Sequence, residues 1–323
     1  MTRQPIRINP IDDMLDKPPE TGATDSAILG PKSRGRVSSK ATKDTLLLRV
    51  ISSVALGPMT LVACWFGGQV FALLVALLMS AMVFEWIRMV SGAAKPSLIA
   101  SSVGFAVVSL ACAAFGLYPI AHIVAISGGL VTAALSATGQ NNTQVISPSN
   151  TATGRWVFLG TIYIVLPCIA LIWIRESVQG GRILSIALFL IVWAADIGGY
   201  AFGRFMGGPK LSPVLSPAKT WAGAVGGVLL GSAAGFLVGS IAATGEDALP
   251  ALVTGYYWAA LGGVIGFISI VGDMLESGFK RRFGVKDTSG IIPGHGGVLD
   301  RLDGMILVTA AVSLFLFGYT LFA

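Results

Sequence analysis

Apolar runs of roughly twenty residues follow one another from Leu48 to the end of the chain, separated by short polar breaks. A helix of about 20 residues crosses the ~30 Å hydrocarbon core of a bilayer. The pattern predicts spans near 48–66, 68–90, 97–116, 118–138, 154–174, 183–203, 221–243, 252–273 and 302–321. The expected fold is all-α: a polytopic integral membrane bundle of about nine transmembrane helices, with a polar site facing the cytoplasm. Residues 1–44 break the pattern, being rich in Pro, Gly, Ser and Thr with charges of both signs. They read as a disordered cytoplasmic tail, which leaves 45–323 as the transmembrane catalytic unit. The tail lacks the apolar core of a cleavable signal, so the first span itself is expected to direct insertion.

Composition sharpens this picture. The chain is 54% hydrophobic and 12% charged, where soluble domains carry about 25% charged residues. Its 41 glycines suit membrane helices whose backbones approach closely. The net charge of +6 is concentrated at the start, where nine of the 22 Lys and Arg residues precede position 50. Six acids between Asp12 and Asp44 dilute them, so no nucleic-acid partner is expected. Cys64, Cys112 and Cys168 each lie in an apolar run without a CxxC spacing, which points to packing rather than zinc or disulfides.

The distribution of cations orients the bundle. With the tail inside, the breaks around Arg88 and Lys95, around Arg204, Lys210 and Lys219, and from Lys280 to Arg301 also fall inside. Arg175 and Arg182 fall outside as exceptions, softened by Glu176. The uncharged stretch from Gly139 to Gly154 reads as a surface loop.

Ionisable groups within spans are expensive and therefore functional candidates. Glu85 and Arg88, three residues apart, can neutralise each other on one helix face, and Arg49 snorkels to the interface. Asp196 has no cation within three positions. It either lines a polar cavity or pairs with Arg204 two turns on. Asp273, Glu276, Ser277 and Lys280 fall at i, i+3, i+4 and i+7, one polar stripe on a helix.

Between the last two spans, Ser277 to Asp303 holds five cations, three acids and one of the two histidines. Asp273 closes one span and Asp300 opens the next; carboxylates so placed suit magnesium, which takes one or two acids and completes its shell with phosphate oxygens and water. Asp303, one turn beyond Asp300, is a further ligand or a neighbouring acceptor. Lys280, Arg281, Arg282, Lys286 and Arg301 surround these acids, as a polyphosphate substrate requires. The Pro293-Gly294-His295-Gly296-Gly297 turn lets backbone N–H groups approach phosphate. Spacing therefore points to phosphoryl or nucleotidyl transfer, with a basic loop that merely binds lipid headgroups as the plain alternative. The earlier break ends in Ser216-Pro217-Ala218-Lys219-Thr220 before an apolar helix. A hydroxyl and a lysine there either hold phosphate at a helix N-terminus or simply cap it. It is not a P-loop, which needs GxxxxGK[ST] after a strand.

Asp300-x-x-Asp303-Gly304 opens like the membrane CDP-alcohol phosphotransferase motif, but Met305-Ile-Leu-Val-Thr follows instead of its Ala-Arg and spaced aspartates. The longer pattern Ser277, Lys280-Arg281, Lys286-Asp287, Pro293-x-His295-Gly-Gly and Asp300-Arg301-x-Asp303 resembles the phosphatidate cytidylyltransferases, or CDP-diacylglycerol synthases. Trp193-x-x-Asp196 and Ser216-Pro-x-Lys219-Thr220-Trp221 share in the resemblance, which covers roughly residues 190–305. Ala222 stands where that family usually has Glu.

The resemblance implies a dimeric enzyme of phospholipid synthesis, in a bacterial inner membrane, converting CTP and phosphatidate to CDP-diacylglycerol and pyrophosphate. It implies that Asp273 and Asp300 are the metal-site acids, to which spacing adds Asp303 as a metal candidate; magnesium is the expected ion, alone or with a second, monovalent one. Lys219, Lys280 and His295 are the remaining catalytic candidates, His295 as a phosphate contact rather than a base. Ser216, Thr220, Ser277, Arg281, Lys286, Asp287, Arg301 and Asp196 are the substrate-binding candidates. Competing readings are a CTP-dependent polyprenol kinase, which would need a general base at His295 or Asp196, and a secondary transporter of an anionic solute, against which the absence of an inverted repeat speaks.

Overall fold

The computed structural model describes residues 56–92, 96–138, 150–242, 255–292 and 296–322. The tail at 1–44, most of the stretch at 139–154 and His295 lie outside the described residues. The described part of α1 is Leu56–Phe66, followed by α2 Gly68–Ser91, α3 Pro96–Ala114, α4 Tyr118–Thr138, α5 Asn150–Ser177 and α6 Gly181–Met206. A two-stranded hairpin, β1 Lys210–Ser212 and β2 Ser216–Thr220, precedes α7 Trp221–Ala242, α8 Gly255–Arg282 and α9 Leu299–Phe322. Among the described residues eight helices are long and apolar enough to cross a membrane. The first expected span, 48–66, begins outside them. The protein is an all-helical integral membrane bundle.

Three features depart from the sequence reading by more than three residues. The helix expected to end at 273 runs on to Arg282, because three cations in its last turn favour a helix C-terminus. Ser277, Lys280 and Arg281 are thus helical. The break at 207–221 is ordered as an antiparallel hairpin pairing Lys210 with Thr220 and Ser212 with Ser216. Its base is closed by the Trp221 amide donating to the Pro209 carbonyl at 3.1 Å. Helix α5 starts at Asn150, so 150–154 are helical rather than loop.

Helix α7 packs against both α6 and α8, and its sequence dictates how closely. Gly223, Gly227, Gly231, Gly235 and Gly239 recur every fourth residue and are buried. A Cβ at Gly235 would overlap the Trp258 carbonyl on α8, and one at Gly231 would lie 2.8 Å from the Gly262 carbonyl. In lipid, where no hydrophobic drive separates helix from solvent, such backbone contact is what binds helices together. The second group, α2 to α5, joins the first chiefly through α9, which packs on α5 and α8.

At one end of the bundle Arg175 and Glu176 clamp the α1–α2 turn. Arg175 donates to the Cys64 and Trp65 carbonyls at 2.5 and 3.0 Å, and Glu176 accepts from the Gly68 amide at 2.7 Å. The Arg182 guanidinium lies 5.2 Å from the Trp65 ring centroid. The two cations that violate the inside-positive pattern therefore have structural work at helix ends. The lysine–carboxylate pairs gather at the opposite end.

Candidate active site

Helices α2, α5, α6, α8 and α9 and the hairpin build this opposite end. An aromatic cluster of Trp86 from α2, Trp156 and Tyr163 from α5, and Phe279 and Phe283 at the end of α8 forms its floor, with ring centroids 5.2–6.5 Å apart. Trp86 Nε1 donates to the Trp156 carbonyl at 2.9 Å. Arg282 stacks over Trp156 at 4.8 Å.

On that floor sit two pairs of carboxylates, each with a lysine. Asp273 on α8 and Asp303 on α9 lie close enough to repel each other electrostatically. Gly304 permits this approach, since a Cβ there would lie 3.0 Å from Asp273 Oδ1. The lysine comes from the hairpin: Lys219 Nζ meets Asp273 Oδ2 at 2.6 Å and donates to the Ile270 carbonyl at 3.3 Å. Glu276 and Asp300 form the second pair. Lys280 joins them, 2.5 Å from Glu276 Oε2 and 2.9 Å from Asp300 Oδ1. The Lys280 ammonium is the cation that compensates the buried Glu276 carboxylate. Asp196 on α6 faces Asp273, Lys219 and Arg301.

Asp300 has a structural duty as well. Its carboxylate accepts from the Gly297 amide at 2.9 Å and the Thr288 amide at 3.1 Å. The expected metal set of Asp273, Asp300 and Asp303 is therefore divided in the structure. Asp300 is turned to Lys280 and the loop, while Asp273 and Asp303 face each other. Among the described residues no three His, Cys, Asp or Glu side chains form a metal-holding group. The donor chemistry still fits a hard cation. Two carboxylates in contact need positive charge between them, magnesium accepts one or two acids, and the buried hydroxyl of Ser269, one turn from Asp273, is without a partner.

The loop amides are the other correction. The Gly296 amide donates to Ile292 and the Gly297 amide to Asp300, so neither is directed at a substrate phosphate. Thr220 is buried, and its hydroxyl oxygen caps α7 by accepting from the Gly223 amide at 3.1 Å. Ser216 and Ser277 are half-buried, whereas Arg281, Lys286, Asp287 and Arg301 are exposed.

Sequence reasoning paired Glu85 with Arg88 and left it out of the site. No ion pair joins it to Arg88 among the described residues; Arg88 is exposed and lies 5.4 Å from the Phe84 ring centroid. Glu85 is fully buried and accepts from Ser289, Val298, Thr288 and Leu299. The only signal in the sequence was an acid in an apolar run. Its partners lie more than 200 positions away, and no local spacing reveals them.

The chain matches the model of the Cytidylyltransferase family over residues 47–319. Among curated relatives, the phosphatidate cytidylyltransferase of Brucella suis biovar 1 is 35% identical over 275 residues, 84% of this chain and 93% of the relative. That of Pseudomonas aeruginosa is 34% identical over 272 residues, 83% and 94% of the two chains. That of Haemophilus influenzae is 42% identical over a shorter segment of 142 residues, 43% of this chain and 46% of the relative. The charged end of the bundle, with its Lys280–Asp300 and Lys219–Asp273 pairs, lies within the matched region, and the protein belongs to the cytidylyltransferase family.

Proposed function

We propose that this enzyme transfers the cytidylyl group of CTP to phosphatidate, yielding CDP-diacylglycerol and pyrophosphate. The observation that carries the reading is the pairing of four acids with two lysines at the basic end of a membrane bundle. The similarity to phosphatidate cytidylyltransferases along most of their length supports the same substrates.

The phosphate oxygen of phosphatidate is already anionic, so it attacks the α-phosphorus of CTP without a general base. The P–O bond to the β-phosphate breaks and pyrophosphate leaves. The barrier lies in bringing two polyanions together, and alignment with charge neutralisation lowers it. Lys219 and Lys280 are held by their acids at fixed positions facing this space, so little reorganisation is needed when phosphates arrive. Arg281, Lys286 and Arg301 on the rim attract the triphosphate and the lipid headgroup. Ser216 and Ser277 line the approach, while the buried Thr220 hydroxyl holds the start of α7. A magnesium ion held by Asp273 and Asp303 would supply the Lewis acid that neutralises phosphate oxygens, and Asp196 is placed to complete the negative field around it.

The site and the N-terminal tail face the cytoplasm of a bacterial inner membrane in this reading. The concentration of cations at the same bundle end and the bacterial relatives support that. The enzyme works as a homodimer, as the family resemblance implies. Purified protein in detergent, given phosphatidate, CTP and magnesium, should release one pyrophosphate per CDP-lipid formed. Release of CDP with a phosphorylated lipid would replace this reading with a CTP-dependent kinase.

A further inference from the structure

We infer that Glu85 is a positioning residue for the reaction, a buried clamp on α2 that fixes the loop carrying Asp300; this rests on the cytidylyl-transfer reading above. Its Oε1 accepts from Ser289 Oγ at 2.5 Å and the Val298 amide at 2.9 Å. Its Oε2 accepts from the Leu299 amide at 2.8 Å and Thr288 Oγ1 at 3.2 Å. Both ends of the segment 288–299 are thus tied to one carboxylate.

The cost of such a group argues for its purpose. A carboxylate removed from water inside a membrane bundle loses its hydration, and no Lys, Arg or His pairs with Glu85 among the described residues. Compensation comes from four charge-assisted hydrogen bonds and from the positive N-terminal end of α9. An apolar side chain would pack α2 against α5 at no such cost. Only the loop benefits from the acid.

The clamp reaches the lysine–acid pairs in two steps. Thr288 gives its hydroxyl to Glu85 and its amide to Asp300. Asp300 in turn holds Lys280. Gly297 is part of the device. A Cβ there would collide with Thr288 Oγ1 and lie 2.9 Å from both Glu85 oxygens. Its backbone does not adopt the left-handed conformation, so an alanine would be excluded by the clamp rather than by backbone strain.

Glu85→Gln keeps the shape but turns an amide NH2 toward two donors. The experiment compares wild type, Glu85→Gln and Gly297→Ala in detergent, measuring steady-state CDP-lipid formation and amide hydrogen exchange. Both variants should lose about 10²-fold in kcat, the scale of a small displacement of positioned groups, with KM for CTP changed less than kcat. Exchange in peptides covering 288–299 should accelerate while α5 and α7 keep wild-type protection. Wild-type kcat in Glu85→Gln overturns the proposal. So does a loss of kcat with unchanged exchange at 288–299, or acceleration spread equally over all helices. If wild type forms no CDP-lipid, the functional reading falls, and the exchange comparison alone decides whether the clamp exists.

Discussion

Removing the Lys280 ammonium separates the structural duty of this site from its chemical one. Lys280 lies between Glu276 and Asp300, whose side chains are 1% and 7% exposed. In Lys280→Met those two carboxylates face each other without their shared cation. Breaking a buried pair by deleting one partner costs about 3–5 kcal/mol, because the remaining charge is uncompensated. For a chain of this size each kcal/mol moves the melting midpoint by roughly 2 °C, so a fall of about 6–10 °C is expected. In Glu276→Gln/Lys280→Met the net charge of the trio returns to its wild-type value. At least half of the lost midpoint should return, while CDP-lipid formation stays abolished because the cation that faces the phosphates is missing. Tryptophan fluorescence during heating in micelles gives the first quantity, and product formation at a permissive temperature gives the second. A Lys280→Met protein as stable as wild type would refute the electrostatic account, and a double variant with restored activity would refute the chemical one.

Other perturbations read single links of the same chain. Thr220→Ala deletes the α7 cap and should cost about 1 kcal/mol, seen as a small fall in melting midpoint and faster exchange confined to the first turn of α7. Gly235→Val forces a side chain into the Trp258 carbonyl and should destabilise by about 1–3 kcal/mol, with a clear fall in melting midpoint. Gly318→Val, at a position where a Cβ meets nothing within 4 Å, should leave that midpoint unchanged.

Much of this architecture was legible because a bilayer imposes a length. Spans 68–90, 118–138 and 221–243 lie within a residue of α2, α4 and α7. The acids at 273, 300 and 303 were visible because charge beside an apolar span is rare. Pairing was not visible. Which acid faces which depends on the rotation of α8 against α9, set by Gly272 and Gly304 where the two backbones meet. Nothing in the spacing of Asp273 and Asp300 separates a shared metal from the observed division, in which Asp300 serves Lys280 and the loop. The hairpin at 210–220 escaped notice because its Pro- and Ser-rich sequence is that of an ordinary loop. Glu85 was masked by Arg88, a plausible partner three residues away, whereas its true partners belong to the other end of the chain.

The account stands on attack at the α-phosphorus of CTP, at the acids contributed by α8 and α9. Incubating the purified protein with phosphatidate, magnesium and either α- or γ-labelled CTP tests that directly. The α-label should enter the lipid and the γ-label should leave as pyrophosphate, with both transfers lost in Asp273→Asn and Asp300→Asn. Label from the γ-position in the lipid, or undiminished transfer in the two variants, would contradict it.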